Sequence, residues 1–117
     1  MKLEELVKSI NARILQPDNR RGPEITRVFA SNKMSALLEQ AGPETMLVTS
    51  LANAQLACMA ELMDCPALCL VDGTDPDPTL LETAVRTGTT VVLCQLDMKE
   101  AYGRLYRRLC GKDCRRS

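Results

Sequence analysis

Ala67-Leu68-Cys69-Leu70-Val71-Asp72-Gly73-Thr74-Asp75-Pro76-Asp77-Pro78 is the stretch that decides the fold. An unbroken apolar run is followed by a cluster of turn formers, then by an aspartate placed to cap a helix and a proline suited to its first position. A strand with no polar alternation is what a parallel sheet shows when helices cover both of its faces. The stretch therefore reads as a buried strand, a strand-to-helix loop and the opening of a helix.

The same unit repeats on either side. Towards the C-terminus, Leu80, Leu81, Ala84 and Val85 recur at helical spacing, Gly88 stops that helix, and Thr90-Val91-Val92-Leu93-Cys94 is another buried strand. Asp97-x-x-Glu100 resembles a capping box for a last helix carrying Met98, Ala101, Leu105 and Leu109 on one face. Towards the N-terminus, the strand Met46-Leu47-Val48 ends at Thr49-Ser50, and Asn53 opens a helix that packs through Leu56, Met59, Ala60 and Met63. These units occupy residues 46–110, and their crossovers require a parallel sheet with right-handed connections.

Upstream, Leu3, Leu6, Val7 and Ile10 mark a first helix, and a short strand runs from Ala12 to Leu15. The turn formers from Pro17 to Pro23 make an exposed loop before a strand from Glu24 to Phe29. Ser31 or Asn32 then caps a helix built on Met34, Leu37, Leu38 and Ala41, which Gly42-Pro43 ends. The expectation is a three-layer α/β/α fold with a mainly parallel sheet of about five strands. It forms one domain over residues 1–110, followed by a basic tail over 111–117.

A chain of 117 residues suits one core, and 45% apolar with 26% charged residues is globular composition. There is no histidine, which excludes Ser-His or Cys-His catalysis, histidine phosphotransfer and imidazole metal sites. The six glycines cannot be threaded through G-x-x-x-x-G-K-[ST] or G-x-G-x-x-G, so a kinase or dehydrogenase reading fails. The formal net charge is zero, but residues 1–33 carry +3, residues 34–103 carry −8 and residues 104–117 carry +5.

That basic end lacks an aromatic stacking platform, so no nucleic-acid partner is expected. No apolar stretch reaches the ~18 residues that would span a bilayer, so no membrane partner is expected either. The cysteines at 58, 65, 69, 94, 110 and 114 contain no C-x-x-C pair. They read as structural thiols in a reducing cytoplasm, not as metal ligands, with Cys110 and Cys114 the ones that solvent reaches.

Ligands of open parallel sheets sit beyond the carboxyl ends of the strands. Here that edge collects Thr49, Ser50, Asn53 and Gln55 after one strand, Asp72, Gly73 and Thr74 after the next, and Asp97 after the last. Hydroxyls and amides in this pattern suit a polar ligand, and the same residue types also serve as caps and turns. No catalytic residue, metal or cofactor is assigned. Asp72, Asp75, Asp77 and Asp97 leave a carboxylate-based enzyme as a third reading.

Several segments resemble the stand-alone DRTGG-domain proteins: Phe29-Ala30-Ser31-Asn32-Lys33-Met34-Ser35, Leu47-Val48-Thr49-Ser50-Leu51-Ala52-Asn53-Ala54-Gln55, Ala60-Glu61-Leu62 and Met98-Lys99-Glu100-Ala101-Tyr102-Gly103-Arg104-Leu105-Tyr106. That family is similar to the N-terminal domain of HPr kinase/phosphorylase, without its kinase domain. The chain departs from the family signature with Ala52-Asn53-Ala54-Gln55 and Asp72-Gly73-Thr74.

The resemblance implies a non-catalytic regulatory or assembly module that senses a small polar or nucleotide ligand, with an adenine nucleotide as the example to test. The alternative it implies is a protein-interaction subunit of a redox or hydrogenase-associated system with no small ligand. A homodimer is expected on separate grounds. Five of the six methionines lie near helices or strand ends, the acidic middle and basic end are complementary, and Tyr102 and Tyr106 lie on one side of the last helix.

Overall fold

The continuous apolar runs become the interior of a sheet, and the periodic segments between them become the helices that cover it. The computed structural model describes residues 2–15 and 24–110. Within them the chain forms α1 (Leu3–Ser9), β1 (Arg13–Ile14), β2 (Arg27–Ala30), α2 (Met34–Gln40), β3 (Thr45–Thr49), α3 (Ala54–Leu62), β4 (Ala67–Leu70), α4 (Pro78–Thr87), β5 (Thr90–Leu93) and α5 (Met98–Cys110).

The sheet order is β1-β5-β4-β3-β2, with β2 to β5 parallel and β1 antiparallel to β5. From β2 onward the chain advances one strand at a time in the same direction, so right-handed crossovers place α2, α3 and α4 on one face. After β5, α5 turns to the opposite face, packs on β2 and β3, and meets α1 there. The expected α/β/α layering and mainly parallel five-stranded sheet are what the chain adopts.

The pleat divides each strand between two cores. Met46, Val48, Ala67, Cys69, Val71, Val92 and Cys94 point to the α1/α5 side, where Leu3, Leu6, Ile10, Ala101 and Leu105 fill the space. Leu47, Leu68, Leu70 and Val91 point to the other side, against Leu37, Leu56, Ala57, Ala60, Leu80 and Ala84. The alanines of α3 and α4 let those neighbouring helices approach closely, and α3 packs directly on α4.

Several local expectations need correction. β2 starts at Arg27, not Glu24, because Glu24 instead makes an isolated bridge with Lys2 and Ile25 turns into the core. β1 is only Arg13–Ile14. The cap of α2 is Lys33, with no side-chain cap bond, since the Ser31 hydroxyl accepts from the Lys33 N–H and Asn32 reaches elsewhere. Met46 and Met59 are buried, which removes two of the methionines expected at a surface.

Cys65, Cys69 and Cys94 are buried, whereas Cys58 is exposed on α3, so solvent does reach a cysteine other than the terminal pair. Cys110 is half-buried; Cys114 and the tail 111–117 lie outside the described residues. No helix among the described residues is long and apolar enough to cross a membrane.

Candidate functional site

The carboxyl ends of β2 to β5 are joined by a relay of hydrogen bonds between successive loops. At one end, Asn32 follows β2 and offers its Oδ1 to three donors: Thr49 Oγ1 at 3.0 Å, the Ser50 N–H at 2.8 Å and Ser50 Oγ at 3.0 Å. Thr49 Oγ1 in turn accepts from the Leu51 N–H at 3.1 Å. Buried Thr49 thus stays satisfied, as a buried hydroxyl must be, and the β3–α3 loop is held to the end of β2. Asn53 caps α3, its Oδ1 accepting from the Leu56 N–H at 3.1 Å.

The next link runs from the Asp77 N–H to the Ala52 carbonyl at 2.9 Å, tying the β4–α4 loop to the β3–α3 loop. Asp77 caps α4 through the Thr79 N–H at 2.9 Å, with Pro78 in the first turn and Gly88 left-handed at the far end. Thr74 donates its hydroxyl to the Val71 carbonyl at 2.7 Å.

The last link decides what the edge offers. The helices after β4 and β5 leave on opposite faces, so the loops there diverge, and a crevice between diverging loops is where open sheets usually hold ligands. Here the protein's own backbone bridges it. Asp72 and Gly73 take consecutive left-handed conformations, with φ 62° and 64°. This turns the Asp72 N–H to the Leu96 carbonyl at 2.8 Å and the Gly73 N–H to the Cys94 carbonyl at 3.0 Å. Glycine at 73 takes this φ without strain, and a Cβ there would come within 2.8 Å of Gln95 Oε1, so that side chain would have to shift.

The eight residues expected at this edge all lie along it, in two groups. Thr49, Ser50, Asn53 and Gln55 gather around the β3–α3 loop, with Gln55 exposed on the first turn of α3. Asp72, Gly73 and Thr74 gather with Asp97 around the β4–β5 divergence, where Asp97 caps α5 through the Glu100 N–H at 2.8 Å. Glu100 does not complete a reciprocal box; its carboxylate pairs with Arg104 at 2.8 Å.

Asn32 is the organising side chain that local reading misassigned to a helix cap, because an asparagine beside a helix start looks the same whichever way it turns. Replacing Asn32 with alanine leaves Thr49 Oγ1 and the Ser50 donors without their acceptor. It is expected to lower stability by about 1–2 kcal/mol, while Asn32→Asp, which keeps the acceptor, is expected to lose less. Urea unfolding of both variants checks this.

Two thiols lie beneath the bridged crevice. Cys69 of β4 is pushed well above its usual range, first by the hydrogen bond it shares with Cys94 and then by burial. Cys94 is lowered to about 7 by the same hydrogen bond, against its own desolvation, with Arg104 helping and Asp72 opposing. Elsewhere the described residues form open clefts of about 490, 480 and 280 Å³. The first lies between α1 and α5 at Ser9, Arg104 and Arg108; the others are at the amino ends of the strands.

No family model matches the sequence, and no curated protein does. Among solved structures, the chain is similar to the CBS and DRTGG domains of the regulatory region of Clostridium perfringens pyrophosphatase, complexed with the activator diadenosine tetraphosphate. The TM-score is 0.70 at 17% identity, over 89% of this chain and 45% of that one. The chain thus spans under half the length of that structure, and what the two share is the fold. The DRTGG-like fold implied by the residue resemblance is supported.

Proposed function

We propose that this domain is a non-catalytic regulatory module that senses an adenine nucleotide at the carboxyl edge of its sheet. The observation that carries the reading is its structural likeness to a regulatory region crystallised with a dinucleoside tetraphosphate activator. The edge itself supports it: exposed Asn32, Asn53 and Gln55 offer amides beside the half-buried hydroxyl of Ser50, suited to hydrogen-bond a base or ribose.

The relay of loop-to-loop bonds gives such a ligand something to act on. A nucleotide competing for the Asn32 or Gly73 links would loosen or tighten the connection between adjacent helices. In this reading the module works as a homodimer in the cytoplasm, with its thiols reduced, and passes the change on by protein contact. The scaffold and carboxylate-enzyme readings have no observation in their favour, since Asp77 and Asp97 are committed to helix caps.

Titration of the full chain with diadenosine tetraphosphate, ATP and AMP, followed by backbone amide shifts, tests the proposal. Saturable shifts are expected at Thr49 to Asn53 and at Asp72 to Thr74, with no nucleotide turnover. Shifts confined to α5, or none at millimolar nucleotide, would overturn it.

A further inference from the structure

The chain has only two tyrosines and one phenylalanine, and none of them is in the buried core. One lies in β2 and the other two on α5, the helix that packs on it. Phe29 lies within β2 and is half-buried on the α2 side. Tyr102 and Tyr106 stack on each other, ring centroids 5.8 Å apart, on α5, the helix that packs across β2. Arg104, Arg107 and Arg108 line the cleft towards Ser9 of α1, so helical phase puts the tyrosines on the opposite flank of α5, away from α1. Tyr106 keeps 44% of its surface exposed.

Among the described residues, no strand pairs with β2 on its outer side. The Arg27 N–H bonds the Glu44 carbonyl at 3.2 Å and the Ser31 N–H bonds the Val48 carbonyl at 3.1 Å. In a parallel ladder alternate residues face the same neighbour, so Arg27, Phe29 and Ser31 are turned to β3. The N–H and C=O groups of Val28 and Ala30 consequently point outward. The strand contains no proline and no lysine, devices that commonly guard an edge.

We infer that β2 is the homodimer interface, pairing antiparallel with β2 of a second copy about a two-fold axis at Phe29. This builds on the homodimer proposed above and names its surface. In that register Val28 of each chain faces Ala30 of the other and exchanges both backbone hydrogen bonds with it, which satisfies every outward group of the pair. Phe29 faces Phe29 in the closer, non-hydrogen-bonded pairing, where aromatic side chains meet directly.

The axis stands perpendicular to the sheet, so both α5 helices fall on one side with their tyrosine flanks facing each other. Their arginines line the clefts on the far flanks. Arg27 falls opposite Ser31, so no like charges confront each other across the strands. Tyrosine and phenylalanine are enriched at such interfaces, which accounts for their absence from this core.

Sedimentation of the full chain at tens of micromolar is expected to show about twice the 12.9 kDa chain mass. Tyr106→Glu, at an exposed position, is expected to give the monomer with melting retained, and Val28→Lys, at a residue partly buried against the α1/α5 core, to give the monomer with a lowered melting temperature. Leu62→Glu, 76% exposed on α3 and remote from the edge, is expected to leave the dimer intact. In the wild-type dimer the Val28 and Ala30 amides are expected to exchange slowly, and to speed up on dilution to monomer.

A wild-type monomer overturns both the homodimer and this surface. A dimer that survives Val28→Lys and Tyr106→Glu, or whose Val28 and Ala30 amides exchange as fast as solvent-exposed ones, overturns the β2 interface alone and leaves the dimer and the nucleotide reading standing.

Discussion

Leu70→Ala is expected to destabilise the domain by about 2–5 kcal/mol, the range for removing a fully buried leucine from a core that collapses only partly. Leu70 has no solvent exposure and lies in β4, which has β3 on one side and β5 on the other. Its side chain belongs to the core under α3 and α4, with Leu68, Leu80 and Ala84. A strand held by two neighbours and covered by helices on both faces cannot shift to fill the void. Val85→Ala, on the exposed side of α4, removes comparable carbon without creating a cavity and is expected to change stability by roughly 0.5 kcal/mol or less. Urea unfolding of both variants reads the contrast, and a Leu70→Ala cost below about 1 kcal/mol would mean that β4 is not the packed centre of the sheet.

Alkaline pH is expected to produce the second large effect, through Cys65. Its thiol is 3% exposed, and burial pushes its pKa from 9.0 up to about 11. In the unfolded chain the thiol loses its proton near pH 9, whereas in the folded protein it keeps it until about pH 11. The folded pKa is the higher one, so the stabilisation is complete below pH 9 and is lost as pH rises towards 11. A displacement of this size corresponds to about 3 kcal/mol lost across the window. Lysine and tyrosine titrate in the same range, so the measurement is the difference between wild type and Cys65→Ala in urea unfolding from pH 8 to 11. Parallel profiles would contradict the expectation. Cys69, also raised, acts in the same direction and remains in both proteins.

The edge of the sheet shows how far local reading carries. Asn53, Asp77 and Asp97 were legible as caps, and Gly88 as a helix stop, because a capping bond closes within two to four residues and the residue types for it are few. The same local logic failed at Asn32. Its carboxamide turns not to the helix that follows it but to Thr49 and Ser50, residues 17 and 18 positions away. Likewise Asp72-Gly73 was legible as a turn. That the turn closes the divergence between β4 and β5, by bonding to Cys94 and Leu96, follows only once those strands lie side by side.

By itself, then, the amino-acid sequence determined the elements, their parallel arrangement and the edge where polar residues collect. Apolar runs, helical periodicity and caps act over a few residues, and short crossovers leave one handedness. Tertiary structure alone decided that, among the described residues, β2 and β1 end the sheet, that α5 packs across β2, and that the crevice at the carboxyl edge is bridged by backbone. Those outcomes depend on strand order and on hydrogen bonds between residues far apart in the chain, which no local period encodes and which arise only when two helical layers bury the two faces of one sheet.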